Sequence, residues 1–137
     1  MANEAAIRVR IDNPLPFTVA DGTGIEKGAV LELSGDKTAI LSSGAEDKIA
    51  GILAREKVAS DGRTEMGVFR RGWFDMVCSG AVLLGEAVSS MGHDNYIHKA
   101  PVTASGACIL GHALETGSDA ERILIDVNVG AGGNQVT

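Results

Sequence analysis

The chain carries one phrase twice: "GILAREKVASDG" at residues 51–62 and "GHALETGSDA" at residues 111–120 use similar letters in a similar order. The surroundings repeat as well. "GIEKGAVLELSGDKTAI" aligns loosely with "GAVLLGEAVSSMGHDNYI", which sets Gly28 against Gly85 and Gly51 against Gly111. Each half reads as a glycine-marked turn, a strand, a polar turn, a strand, then glycine, a small-residue segment ending in glutamate, and "SD" before an apolar strand. Two copies are too few for a solenoid, which needs about three or more to build a continuous core. An internal duplication of this kind therefore predicts two β units that together close one barrel or sandwich.

Periodicity supports strands rather than helices. Ile7, Val9 and Ile11 alternate with Arg8, Arg10 and Asp12, the signature of a half-buried strand, and Ile123, Ile125, Val127 and Val129 alternate with Leu124, Asp126 and Asn128. Ile49, Ile52, Leu53 and Glu56 also fit helical spacing, but Gly51 disfavours a helix interior and Asp61-Gly62 is a hairpin turn signal. "SGDK" joins two short strands on either side of it. The expected fold is all-β, a compact β-barrel or β-sandwich of two pseudo-repeated units over about residues 25–75 and 82–130. At most a short helix is expected, around "AVLLGEAV". Pro14 and Pro16 make residues 1–24 either an extended N-terminal arm or a first strand. The glycine-rich residues 131–137 read as a flexible tail.

Composition then restricts the function. At 137 residues the chain suits a single domain (residues 25–130) with a core that needs no staples. Its 18 glycines point to many tight turns. Twelve basic against 18 acidic side chains leave a net charge of -6, which opposes the field of nucleic acid and of anionic membranes, so neither is an expected partner. No apolar run has signal-peptide or membrane-spanning length, so a soluble protein made in the cytosol is expected. Cys78 and Cys108 lie in segments that read as core strands, where free cysteine packs as a small hydrophobe; whether they are bonded is left open by sequence.

Catalytic and metal signatures do not emerge. His93, His98 and His112 lack the closely spaced cysteine or histidine partners of zinc sites, and His93-Asp94 reads as a turn. Serine, histidine and aspartate occur without a GxSxG elbow. "GAGG" lacks the strand-to-helix context of a phosphate loop. Glu46-Asp47 and Asp119/Glu121 read as solvated turn charge. No catalytic residue, metal or cofactor is expected, and the chain is not expected to be an enzyme.

The stretch most like an interface is "FRRGWF", residues 69–74. Tryptophan and arginine are the types most enriched in binding hot spots, although a core tryptophan flanked by surface arginines is an equal reading. The candidate interface residues are Pro14, Pro16, Phe17, Arg70, Arg71, Trp73 and Phe74.

The succession "ADGTGIEKGAVLEL", "AGILAREKVASDGRTEMGVFRRGWFDM", "SGAVLLGEAV" and "ILGHALETGSDAERILIDV", from about residue 15 to 129, resembles the small capsid decoration, or cement, proteins of tailed bacteriophages and related archaeal viruses. That resemblance implies a β-rich virion structural protein on the exterior of an icosahedral shell, commonly a homotrimer. It would bind the major capsid protein and clamp neighbouring capsomers, and some relatives reach across the shell with an N-terminal arm. It implies no active-site residues. The alternative is a small-molecule or carbohydrate-binding β module, which would line a pocket with Trp73 or Tyr96.

Overall fold

The computed structural model describes residues 3–44, 48–101 and 106–129. Its strands are β1 (Ala6–Arg10), β2 (Leu15–Thr18), β3 (Val30–Gly35), β4 (Thr38–Leu41), β5 (Ile49–Leu53), β6 (Glu65–Phe69), β7 (Arg71–Val77), β8 (Ala87–Ser90), β9 (Ile97–Lys99), β10 (Gly111–Ala113) and β11 (Arg122–Asn128). Among the described residues the helical structure is one 3-10 turn, Gly106–Cys108, so the fold is all-β. No helix among them is long and apolar enough to cross a membrane. "AVLLGEAV" is not a helix; Val82 forms a bridge to Gly117, a turn follows, and β8 begins at Ala87.

The strands divide into a closed barrel, β2-β4-β3-β5-β6, and a six-stranded sheet, β1-β7-β11-β10-β8-β9. These two orders are the same order. Matching β2 to β7, β3 to β8, β4 to β9, β5 to β10 and β6 to β11 reproduces the antiparallel pairings of one unit in the other. The difference lies at the ends. In the first unit a parallel contact, Thr18 to Thr38, joins β2 to β4 and closes the barrel. In the second, a single parallel bridge from Cys78 to Ile97 stands in the corresponding place, and β1 pairs along the rest of that side of β7 as the sixth strand of the sheet.

Hydrogen bonds in the duplicated phrases repeat in detail. Ile25 and Lys57 exchange backbone bonds of 2.9 and 2.8 Å, as Val82 and Gly117 do at 2.9 and 2.8 Å. Gly28 N–H donates to Leu53 O, and Gly85 N–H to Ala113 O. Both glycines hold left-handed backbone angles, φ 87° and 85°, which only glycine adopts without steric cost. Ser60 and Ala120, at the second turn of each copy, are also left-handed. Thus "GIL" and "GHA" are both strands that feed equivalent turns, and the helical spacing in the first has no structural counterpart. The repeated strand order also moves the boundary: β7 heads the second unit, so residues 71–75 do not belong with the first.

Gly51 and Gly111 open the two phrases for one reason. A Cβ at Gly51 would collide with the Phe69 carbonyl oxygen on β6, and one at Gly111 with the Asp126 carbonyl oxygen on β11. Equivalent neighbouring strands therefore cross these glycines at backbone contact.

Two apolar clusters hold the units together. One fills the barrel, with Phe17, Val19, Leu31, Ala50, Leu53, Met66 and Val68. The larger joins barrel to sheet: Val30, Ile49, Ile52 and Phe69 pack with Phe74, Met76, Val88, Leu110, Ile123, Ile125 and Val127. β11 alternates as its sequence predicts, with Ile123, Ile125 and Val127 buried.

Residues 3–24 contribute two strands, β1 paired with β7 and β2 with β6. β1 is not half-buried, however; all five of its residues are exposed. It is the terminal strand, and a register shift between Ile7 and Val9 breaks the alternation that would put all three apolar residues on one face. Cys78 is buried and Cys108 lies partly exposed in the 3-10 turn rather than in a strand; the two are not joined in a disulfide. Burial first, then Glu121 and Asp119, pushes the Cys78 thiol pKa up, which keeps it protonated and inert. The expected tail at 131–137 and the Glu46-Asp47 turn lie outside the described residues.

The copies differ most where Lys57 stands opposite Gly117. The Lys57 side chain has no solvent exposure and donates to Asp61 Oδ1 at 2.7 Å, Val58 O at 2.7 Å, Asp21 Oδ1 at 2.9 Å and Asp21 O at 3.0 Å. Burial by itself would lower the Lys57 pKa, but its hydrogen bonds to Asp61 and Asp21 outweigh that and raise it. The bond from Lys57, then the one from Arg63 N–H, hold the Asp61 carboxyl below its ordinary value. In the second copy Gly117 leaves no room for a side chain beside Ile123 and Cys78. One unit is pinned by buried charge and the other by apolar contact.

This arrangement sets a pH dependence. Because the folded pKa of Asp61 lies below its unfolded value of about 3.9, its stabilisation is complete above that pH and is lost as pH falls through the depressed value. Lys57, raised above about 10.4, contributes fully below that pH and loses its contribution as pH rises through the raised value. Thermal melts across the acid range are expected to show a steeper decline for the wild type than for Asp61→Asn. Parallel curves would mean that ionisation of Asp61 beside Lys57 adds no stability to the fold.

Candidate interaction surface

Strand alternation sorts "FRRGWF" into inside and outside. Phe69 and Phe74 point into the core, their rings 5.7 Å apart in an edge-to-face contact, while Arg71 and Trp73 face solvent. Trp73 is 38% exposed, so it is a surface side chain rather than a core one. Phe74 is corrected from interface to core, and so is Phe17, which fills the barrel. Arg70 is partly buried; its guanidinium lies 5.9 Å from the Phe17 ring centroid and donates to Ala50 O at 3.3 Å. Burial lowers its pKa, yet arginine stays charged at any ordinary pH. Pro14 covers Gly67, where a Cβ would meet its ring at 2.9 Å, and Pro16 is exposed on β2.

What the fold adds to Trp73 comes from β1. Register pairs Val9 with Trp73, Trp73 with Asp126, and Asp126 with His112, so these four form one cross-strand row on the outer face of the open sheet. Gly72 makes the approach of β1 possible: it holds φ 153°, and a Cβ there would meet Val9 O at 3.0 Å and the Phe74 ring at 2.9 Å. Val9 and Ile11 are exposed at 44% and 42%, which extends an apolar edge from Trp73 along β1. Sequence reasoning missed this edge, because alternation made those residues look like a buried face.

A second exposed apolar feature is the Leu83-Leu84 turn. Leu84, at 66%, is the most exposed large hydrophobic side chain among the described residues, and Leu83 follows at 57%. The turn itself is well held: Leu83 N–H donates to Glu86 Oε1 at 2.8 Å and Leu84 N–H to Thr116 Oγ1 at 3.1 Å. Glu86, its pKa lowered by Leu83 N–H and by Lys99, stays ionised to do so. In the first copy the equivalent turn carries Glu26-Lys27, a solvated pair. Two leucines where the same turn elsewhere carries charges form an exposed patch rather than a packing requirement.

The histidines sit on a turn (His93), on β9 (His98) and on β10 (His112). His93 stacks edge-on to Tyr96 at 5.6 Å and lies 3.7 Å from Asp94. A cleft of about 300 Å³ opens between barrel and sheet beside His93, Asp94 and Asn95, and one of about 600 Å³ beside β1. Neither is lined by Trp73 or Tyr96, the side chains a carbohydrate pocket was expected to use.

No protein-family model and no curated protein matches the sequence. Among solved structures, the chain is similar to the crystal structure of the head fibre gp8.5 N base of bacteriophage phi29, with a TM-score of 0.53 and 12% identity over 83% of this chain and 93% of that one. At that identity the likeness is one of fold, and it spans both the barrel and the open sheet.

Proposed function

We propose that this chain is a structural component of a virus particle, a decoration protein that binds the outside of an icosahedral shell as a homotrimer and clamps neighbouring capsomers of the major capsid protein. The observation that carries the reading is the fold shared with a phage head fibre base over most of both chains. Two exposed apolar features support it, the Val9–Trp73 edge and the Leu83-Leu84 turn, since a clamp must touch more than one surface. A trimer that engages several capsomers gains effective concentration with each contact, so modest individual contacts suffice. The acidic chain, at -6, also avoids competing binding to nucleic acid. The test is titration of the purified protein onto shells that lack it. Saturable binding by a species of trimer mass is expected, and a monomer that fails to bind overturns the reading.

A further inference from the structure

We infer that the groove beside β1 is a docking site for an extended acidic polypeptide segment of the shell, a reading that names the partner chemistry of the virion role proposed above and rests on it. The groove, about 600 Å³, lies between the terminal strand of the open sheet and the barrel. Its volume falls within the range of ligand clefts, roughly 300–1,000 Å³. Four of the chain's 12 basic side chains line it: Arg8, Arg10, Lys27 and Arg55. In a chain of net charge -6, that concentration of positive charge is local and opposite to the molecule as a whole.

The cations are differently prepared. Arg8 is paired with Asp75 at 2.8 Å, which offsets its charge, whereas Arg10 keeps its charge while Asn13 at 2.7 Å and the Phe69 ring at 5.8 Å orient its guanidinium. Lys27 and Arg55 are exposed and make no ion pair among the described residues, which leaves their charge for a partner. Ile7 and Phe69 supply an apolar floor between them. Positioned guanidinium groups recognise carboxylates through paired hydrogen bonds, and an apolar floor accepts the carbon chain between them. A nucleic acid fits poorly, because the strongly acidic remainder of the surface would repel a polyanion that extends past the groove. A polypeptide can carry a few carboxylates there and neutral residues beyond. It can also run beside β1, which ends the sheet and has no strand on its outer side among the described residues.

The test is fluorescence anisotropy with three labelled probes: a decaglutamate peptide, a decaserine peptide and a ten-nucleotide oligothymidylate. Saturable, salt-sensitive binding of decaglutamate is expected, with decaserine silent and the oligonucleotide weaker. The Lys27→Glu/Arg55→Glu variant alters only exposed side chains, so an unchanged melting temperature is expected beside a loss of roughly tenfold or more in decaglutamate affinity. Absent decaglutamate binding, equal binding by the variant, or oligonucleotide binding as tight as the peptide's would each overturn the inference. Shell titrations separate it from the role it rests on. If wild type and variant bind shells equally, the groove reading fails and the virion role stands. If neither binds shells while decaglutamate still binds the wild type, the virion role and the shell as the source of the segment fail, while the groove's recognition of acidic polypeptide stands.

Discussion

Alanine at Gly51 or Gly111 is expected to destabilise the fold by about 3 kcal/mol, one of the largest effects of any single methyl group in this chain. Each substitution forces a Cβ into a neighbouring backbone, the Phe69 carbonyl in one unit and the Asp126 carbonyl in the other, and neither contact is the end of a flexible side chain that could move aside. Overpacking of this kind costs about 1–3 kcal/mol, and at Gly51 the left-handed φ of 146° adds strain of similar order. Gly22, with nothing within 4 Å of its Cβ position, is the internal control and should change stability by no more than about 0.5 kcal/mol as alanine. Denaturant midpoints of the three variants decide the matter. If Gly111→Ala unfolds with the wild type while Gly51→Ala does not, the two phrases are not held by the same backbone contact.

The second large effect concerns binding. Leu83→Asp/Leu84→Asp places two carboxylates where the proposed role requires apolar contact, and Trp73→Ala removes the largest exposed ring on the open sheet. A buried leucine contributes about 1.5–3 kcal/mol and a hot-spot tryptophan about 2 or more, so each variant should weaken shell binding by roughly 30-fold or more. Because all three side chains point away from the core, the melting temperatures should stay within a few degrees of wild type. Full-strength shell binding by both variants would remove these surfaces from the interface.

Much of this architecture was legible in the residues. The doubled phrase, the alternation of β11 and the turn between β3 and β4 all follow from glycine placement and period, because those features are local and the backbone obeys them directly. Where the reading went astray, a tertiary fact decided. β1 alternates like a half-buried strand, yet as the terminal strand with a register shift it is exposed throughout. The inward position of Phe74 depends on which side of Gly72 the strand restarts, and that is set by β1 and β11 rather than by neighbours in sequence.

Lys57 is the sharpest case. In "AREKVASDG" it looks like one more surface charge, but the bridge to Ile25 turns it into the turn region, where Asp21 and Asp61 meet it. Nothing local distinguishes it from Lys27, which lines an open groove. The leucine pair is the converse case: "AVLLGEAV" allowed a short helix by sequence, and the equivalent turn of the other copy shows instead that the pair sits on a turn facing water. Comparison of the two copies, once their strands are aligned, recovers what either copy alone conceals.

The proposed role has this chain decorate a shell at fixed lattice positions. The most direct measurement is the number of copies bound at saturation to shells assembled without it, counted against the number of capsomers. A plateau at a fixed integral ratio of trimers to lattice positions, reached with a sharp end point, is the predicted result. Binding that never saturates, or a plateau unrelated to the lattice, would contradict it.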